Sequence, residues 1–350
     1  MSYPVADCDL MEKMAKSTQL RLSLSVNLII SVIAVPILTQ SIIYITKQKL
    51  FHFNTRLQIQ VHLFGLLMHT CGRLGLHSFD LYNYFSPFTS GCEVMPDFYR
   101  CLITRGLYNF GMALAAMCSV SLTIERTIAL IYASSYEYCP KIFGFALALL
   151  QIFLSFCFLF KLYYYAPFKP EHVVLYYCQT LASGTGSVWT INAPLYSVMV
   201  AQIVCRIIFH FLSKKSQQMR TDQQFWSLSC RYNVEQGIRS IHALNMFINA
   251  NTFVFVFLSV MGTTLHFNLQ RLSKPTYFAI VEGTVTLITY HISILSVNHF
   301  LPSYGIILSL YVYSTLRKLD KTLKTSLSKS IKTNPEYYLE TFKKQIGAEW

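Results

Sequence analysis

The few charged side chains that interrupt the long apolar runs of this chain are where chemistry has to be sought. Arg73, Arg105 and Glu282 fall within or at the rim of such runs, and Glu125 and Arg126 close another. An ionisable group inside a bilayer is costly unless it is paired, solvated or used, so each is a functional candidate. Hydrolytic or phosphoryl chemistry has no support: the chain contains no HExxH, no GxSxG, no Gly-rich phosphate loop and no matched pair of catalytic carboxylates. His62, His69 and His77, with His291 and His299, recur at intervals of seven and eight without a carboxylate at ligand spacing. They read as solitary interior or interfacial histidines rather than metal ligands. The expectation is a protein that is not an enzyme and holds no cofactor.

The elements that position these residues follow from solvent preference. Of 350 residues 53% are hydrophobic and 13% charged, about half the charge of a soluble domain. A bilayer core needs about 20 apolar helical residues, and stretches of that length predict spans at 22–46, 57–81, 101–130, 142–165, 188–212, 241–265 and 283–310. The second is the least clean, since it carries Arg73, Asp80 and three histidines. Pro36, Pro194 and Pro302 fall inside spans and predict kinks. The fold class is an all-α membrane protein, a seven-helix bundle, with residues 1–21 as an extracellular segment, 22–313 as the bundle and 314–350 as a cytoplasmic tail. Residues 1–21 lack the pattern of a cleavable signal peptide, so the first span reads as an uncleaved signal anchor.

Orientation comes from basic residues. With the amino terminus outside, inner segments hold 17 Lys and Arg against 8 in outer ones, and positive charge is retained in the cytoplasm. The same bias opposes the inverted topology of insect odorant channels. The net charge of +13 is therefore a topology signal, and no nucleic acid partner is expected. Four of the ten cysteines, Cys8, Cys92, Cys101 and Cys178, then face the oxidising side. A Cys101–Cys178 disulfide staples the second outer loop over the bundle; pairing of Cys101 with Cys92, or of Cys8 with either, is the alternative.

Arg126 follows Cys101 by 25 residues, a helical rise of roughly 37 Å. One helix thus carries a cysteine at its outer rim and an acid–base pair at its inner rim. This arrangement resembles rhodopsin-like receptors, whose third helix has that cysteine, that interval and an acidic residue followed by arginine. The resemblance implies that Arg126 holds the resting state and engages a heterotrimeric G protein on activation, with Glu125 restraining it; the plain alternative is an arginine snorkelling to the interface. The segment SLSCRYNVEQGIRSI before the sixth span is similar to the nematode serpentine chemoreceptors of the Sra superfamily, classes alpha, beta and alpha/beta. The matching residues are Arg231, Tyr232, Asn233, Glu235 and Gln236, with Glu125, Arg126 and Ala129 earlier. The two amide positions are exchanged relative to the family pattern. The resemblance implies a chemosensory G protein-coupled receptor at the plasma membrane, on a sensory cilium, with an odorant or pheromone-like small molecule as ligand.

Arg73, Arg105 and Glu282 are expected to border the ligand cavity, with Tyr108, Tyr163, Tyr164, Trp189 and Asn192 as its lining. The alternative is that Arg73 pairs structurally with Glu282 or Asp80. Membrane lipid is a further expected partner, since the basic inner loop can read anionic headgroups as well as a protein surface, and a receptor dimer is another. After the last span, Leu316, Leu319, Leu323, Leu327 and Ile331 alternate with basic residues as an interfacial amphipathic helix does. A ligand-gated channel or transporter is the rival reading, although no internal repeat or paired broken helix supports it.

Overall fold

The computed structural model describes residues 5–47, 51–133, 135–136, 139–164, 178, 188–221, 228–267 and 272–282. By contacts the chain divides into Met1–Leu308 and Ser309–Trp350. The second unit, with the expected amphipathic helix, lies outside the described residues, as does the expected seventh span at 283–310.

Eight helices are described: α1 (Val5–Lys16), α2 (Thr18–Lys47), α3 (Phe53–Phe85), α4 (Phe98–Ile131), α5 (Lys141–Tyr164), α6 (Val188–Thr221), α7 (Leu228–Phe267) and α8 (Lys274–Glu282). Five of them, α2, α4, α5, α6 and α7, contain windows long and apolar enough to cross a membrane. α2 shows why such a helix suits a bilayer. It buries Leu20, Leu24, Asn27, Ser31, Ala34 and Leu38 along one stripe and leaves Leu22, Ile29, Val32 and Ile33 exposed. The exposed face is as apolar as the buried one, which water would penalise and lipid does not. The helix continues through Pro36 without ending.

α3 differs in kind. It is 33 residues long, about 50 Å, and contains the expected second span, 57–81, although it is more polar than those five. The reason is its place in the bundle. It packs against α2, α4 and α5, so Gln58, His62, His69, Arg73 and His77 are turned into protein rather than lipid, each fully buried. Nδ1 of His62 donates to the Ala115 carbonyl at 2.9 Å and Nδ1 of His69 to the Tyr108 carbonyl at 3.1 Å, both on α4. These rings are interior hydrogen-bonding groups, and no metal-holding cluster occurs among the described residues.

Backbone approach makes those bonds reachable. A Cβ on Gly111 would stand 2.4 Å from the Gly65 carbonyl and 2.4 Å from the His69 nitrogen, and one on Gly72 would stand 2.8 Å from the Tyr108 nitrogen. Small residues are how membrane helices gain close van der Waals contact. Lower in the bundle, amides bind the other helices to α4: Gln202 on α6 donates to the Ala116 carbonyl at 2.6 Å, Gln151 on α5 to the Leu114 carbonyl at 2.8 Å, and Asn251 on α7 to Ser119 at 2.6 Å. α4 is the hub of the assembly.

Two departures from expectation concern helix ends. The segment 228–240, expected as a loop leading into the sixth span, is already helical, extending α7 by about three turns. The amino-terminal segment, expected only as polar and extracellular, contains α1. Met11, Met14 and Ala15 recur at helical spacing and are fully buried against Leu20, Leu24, Leu81, Tyr84 and Phe278. Arg21 clamps the junction, donating to the Ala15 carbonyl at 2.6 Å and to the Tyr84 carbonyl at 2.5 Å.

Candidate functional site

The outer end is built on two disulfides. Cys8 on α1 pairs with Cys92, in the short turn Gly91–Val94, with Cα atoms 4.7 Å apart. Cys101 at the start of α4 pairs with Cys178, Cα atoms 5.0 Å apart. The first pairing requires glycine beside it, because a Cβ on Gly91 would lie 2.0 Å from the Cys8 carbonyl oxygen. Of the connectivities left open by the sequence, Cys101–Cys92 is excluded.

Around the second disulfide the structure gathers three of the expected ligand residues. Arg105 is buried and its Nε donates to the Cys178 carbonyl. Its guanidinium lies 5.1 Å from the centroid of Tyr108, and that of Arg73 lies 6.0 Å from the same ring. His69 packs on Tyr108 with ring centroids 4.2 Å apart. Arg73 donates to Asn27 on α2 and to His77 one turn away at 3.4 Å. Asp80 accepts from Arg100 at 2.9 Å. A cation over an aromatic face is stabilised by the ring quadrupole, so Tyr108 organises both arginines. The side chains of Tyr163, Tyr164, Trp189, Asn192 and Glu282 lie outside the described residues, although their backbones belong to α5, α6 and α8.

The inner end is organised by Glu125 and Arg126, both buried at the last turns of α4. Arg126 donates through Nε and Nη2 to the Glu125 carboxylate. Its Nη1 donates to Ser240 on α7 at 3.0 Å, and Nη2 to Thr55 on α3 at 2.6 Å. The Thr55 hydroxyl donates in turn to Glu125 Oε1 at 3.0 Å. From the loop after α4, the Tyr136 hydroxyl donates to the same carboxylate oxygen while its ring lies 5.8 Å from the guanidinium. Burial, then the adjacent Glu125 charge, pushes the Tyr136 phenol well above its usual range. It therefore stays protonated and remains a donor. Beside it, Asn54 donates to Cys139 Sγ at 3.6 Å, and burial raises that thiol.

This is an ion pair fully removed from solvent whose remaining valences are spent on three other elements. Breaking one member leaves a buried charge uncompensated, which is far costlier than loss of a surface pair. The arrangement can therefore act as a latch between α3, α4, α7 and the second inner loop. Thr55, Tyr136 and Ser240 were not expected from the sequence: all three are uncharged, Thr55 and Ser240 are 70 and 114 residues away in the chain from the pair members they bond, and Tyr136 reaches back from the loop 11 residues on. Of the other expected coupling residues, Glu235 is half-buried on α7, and the side chains of Arg231 and Tyr232 lie outside the described residues.

Comparison with known proteins bears on this geometry. The family described as serpentine-type seven-transmembrane GPCR receptor class ab chemoreceptors matches residues 5–347. Serpentine receptor class beta-3 of Caenorhabditis elegans is 23% identical over 302 residues, covering 78% of this chain and 82% of that protein. Serpentine receptor class beta-12 of the same organism is 24% identical over 226 residues, covering 59% of each, so that match spans under two thirds of the relative's length.

Proposed function

The chain belongs to this family of seven-helix serpentine class ab chemoreceptors, and from that premise we propose that it binds a small external cue and activates a heterotrimeric G protein. The cue, odorant or pheromone-like, is taken up in the outer half of the bundle at the plasma membrane, with the amino terminus outside. The observation that carries this reading is the buried Glu125–Arg126 pair tied to Thr55, Ser240 and Tyr136. A latch at the end of α4 opposite its disulfide is what a receptor needs in order to convert an outer event into an inner rearrangement.

Orientation has independent support. The four paired cysteines, Cys8, Cys92, Cys101 and Cys178, belong to one end of the bundle, whereas Cys139 in the loop at the other end is free. Disulfides persist on the oxidising side of a membrane. Arg73, Arg105 and Tyr108 are the residues proposed to meet the ligand. On the cytoplasmic side, Arg231, Tyr232 and Glu235 lie in the first turns of α7, the helix that Arg126 holds through Ser240, and are proposed to meet the G protein.

The test is an odorant and pheromone panel applied to cells expressing the chain, reading cAMP, cGMP and calcium with and without a co-expressed G protein α subunit. Signals that require the G protein and are abolished in Arg126→Leu support the reading. A ligand-evoked current independent of any G protein establishes a channel instead. Arg73→Gln is expected to shift agonist potency while membrane insertion is retained, and unchanged potency across the panel removes Arg73 from the ligand site.

A further inference from the structure

Two guanidiniums converge on one ring near the outer end of the bundle. Arg105 lies one turn below Cys101 on α4 and Tyr108 two turns below it, roughly 6 and 10 Å along the helix. Arg73 comes to the same ring from α3, where Gly72 lets the two main chains meet: a Cβ there would stand 2.8 Å from the Tyr108 nitrogen. The Arg105 and Arg73 guanidiniums lie 5.1 and 6.0 Å from the Tyr108 centroid, and both side chains are buried. Arg105 donates to the Cys178 carbonyl, and Arg73 to the Asn27 amide oxygen and the His77 ring. All three of these acceptors are uncharged.

Like charges held this close in a low-dielectric interior repel, and a guanidinium keeps its charge there. Four carboxylates of the outer end serve other groups: Asp80 accepts from Arg100 at 2.9 Å, Glu12 from Lys16 at 2.5 Å and Glu93 from the Thr89 backbone at 3.2 Å, while Asp97 caps α4. A further carboxylate of the chain, Glu171 or Glu282, would answer one guanidinium and leave the pair net positive. On the reading above, in which Arg73, Arg105 and Tyr108 meet the cue, we propose that the cue is an organic acid. Its carboxylate is taken between the two guanidiniums, and its carbon skeleton lies against Tyr108. Guanidinium and carboxylate match as planar, bidentate partners, and burial removes the water that would otherwise weaken their attraction. A primary amine is repelled by both arginines, and a methyl ester offers acceptors without charge.

The full-length protein, purified in nanodiscs, is heated with octanoate or 3-phenylpropionate, with the methyl ester of each, and with the primary amine of the same skeleton; Tm reads binding. At least one acid is expected to raise Tm at a concentration tenfold or more below its ester, and the amines are expected to raise it least. Arg105→Gln and Arg73→Gln should each shrink the acid-over-ester preference between tenfold and a hundredfold, the range of a hydrogen bond to a charged group. Arg105→Lys, which keeps the charge and loses the fork, should retain part of it. Glu171→Gln and Glu282→Gln remove an internal competitor and should leave the preference equal or larger. A diazirine-bearing octanoate on the wild-type protein should label α3 and α4 around 73 and 105–108, a readout independent of any variant's folding. The proposal is overturned if neither acid binds better than its ester, if the preference survives both Arg→Gln variants, or if labelling is confined to other segments. Stabilisation by an acid without a G protein-dependent signal keeps the acid site and fails the signalling reading. Signals evoked by esters or amines alone keep the signalling reading and overturn the acid.

Discussion

At the outer end, α1, α4 and the loops between the helices are tied by covalent bonds, Cys8–Cys92 and Cys101–Cys178. At the inner end, α3, α4, α7 and the following loop meet through hydrogen bonds that radiate from one guanidinium and one carboxylate. The contrast separates two requirements of a receptor. A disulfide does not rearrange on the timescale of helix motion, so the outer end is held to one geometry. A hydrogen-bonded ion pair can exchange partners without breaking a covalent bond, which on the proposed function is what a ligand's differential affinity would bias.

Breaking the covalent end should have the largest effect. Cys101→Ser is expected to cost about 2–4 kcal/mol of folded stability, read as a collapse of epitope-tagged receptor at the cell surface. Loss of the staple with surface level and agonist response both intact would erase the contrast. At the inner end, Thr55→Val keeps the shape and removes a hydroxyl that serves both Arg126 and Glu125. Leaving buried charged groups short of a partner costs about 1–3 kcal/mol, so ligand-independent signalling should rise between fivefold and a hundredfold with surface expression little changed. Tyr136→Phe removes a single donor to Glu125 and should raise basal signalling by less, about fivefold, for a bond worth about 1 kcal/mol. A fall in surface expression, rather than a rise in basal signal, from either inner variant would make the two ends alike in kind.

The sequence exposes these two ends unequally. Charge-free runs of span length mark α2, α4, α5, α6 and α7, because lipid-facing helices must be apolar over their whole exposed face. α3 is harder to see: His62, His69, Arg73 and Asp80 are turned toward protein, so its hydropathy understates its burial. α1 is invisible to the same reading because Met11, Met14 and Ala15 form a patch of a single turn. The Glu125–Arg126 pair is legible as a motif whose interval from Cys101 gives it a place. Its partners are not, since hydroxyls of Thr55, Tyr136 and Ser240 carry no charge signature and reach the pair only through the fold. Gln151, Gln202 and Asn251 escaped notice likewise, as uncharged amides in runs searched for charge.

The glycine seam between α3 and α4 bears on how far a disturbance travels. With Gly65, Gly72 and Gly111 bringing the two main chains into direct contact, there are few intervening side chains to change rotamer and absorb a shift. The pair then behaves as one stiff lever rather than two sliding rods. On the proposed function, a tilt imposed at Arg73 and Arg105 carries α3 and α4 together to Thr55 and Arg126.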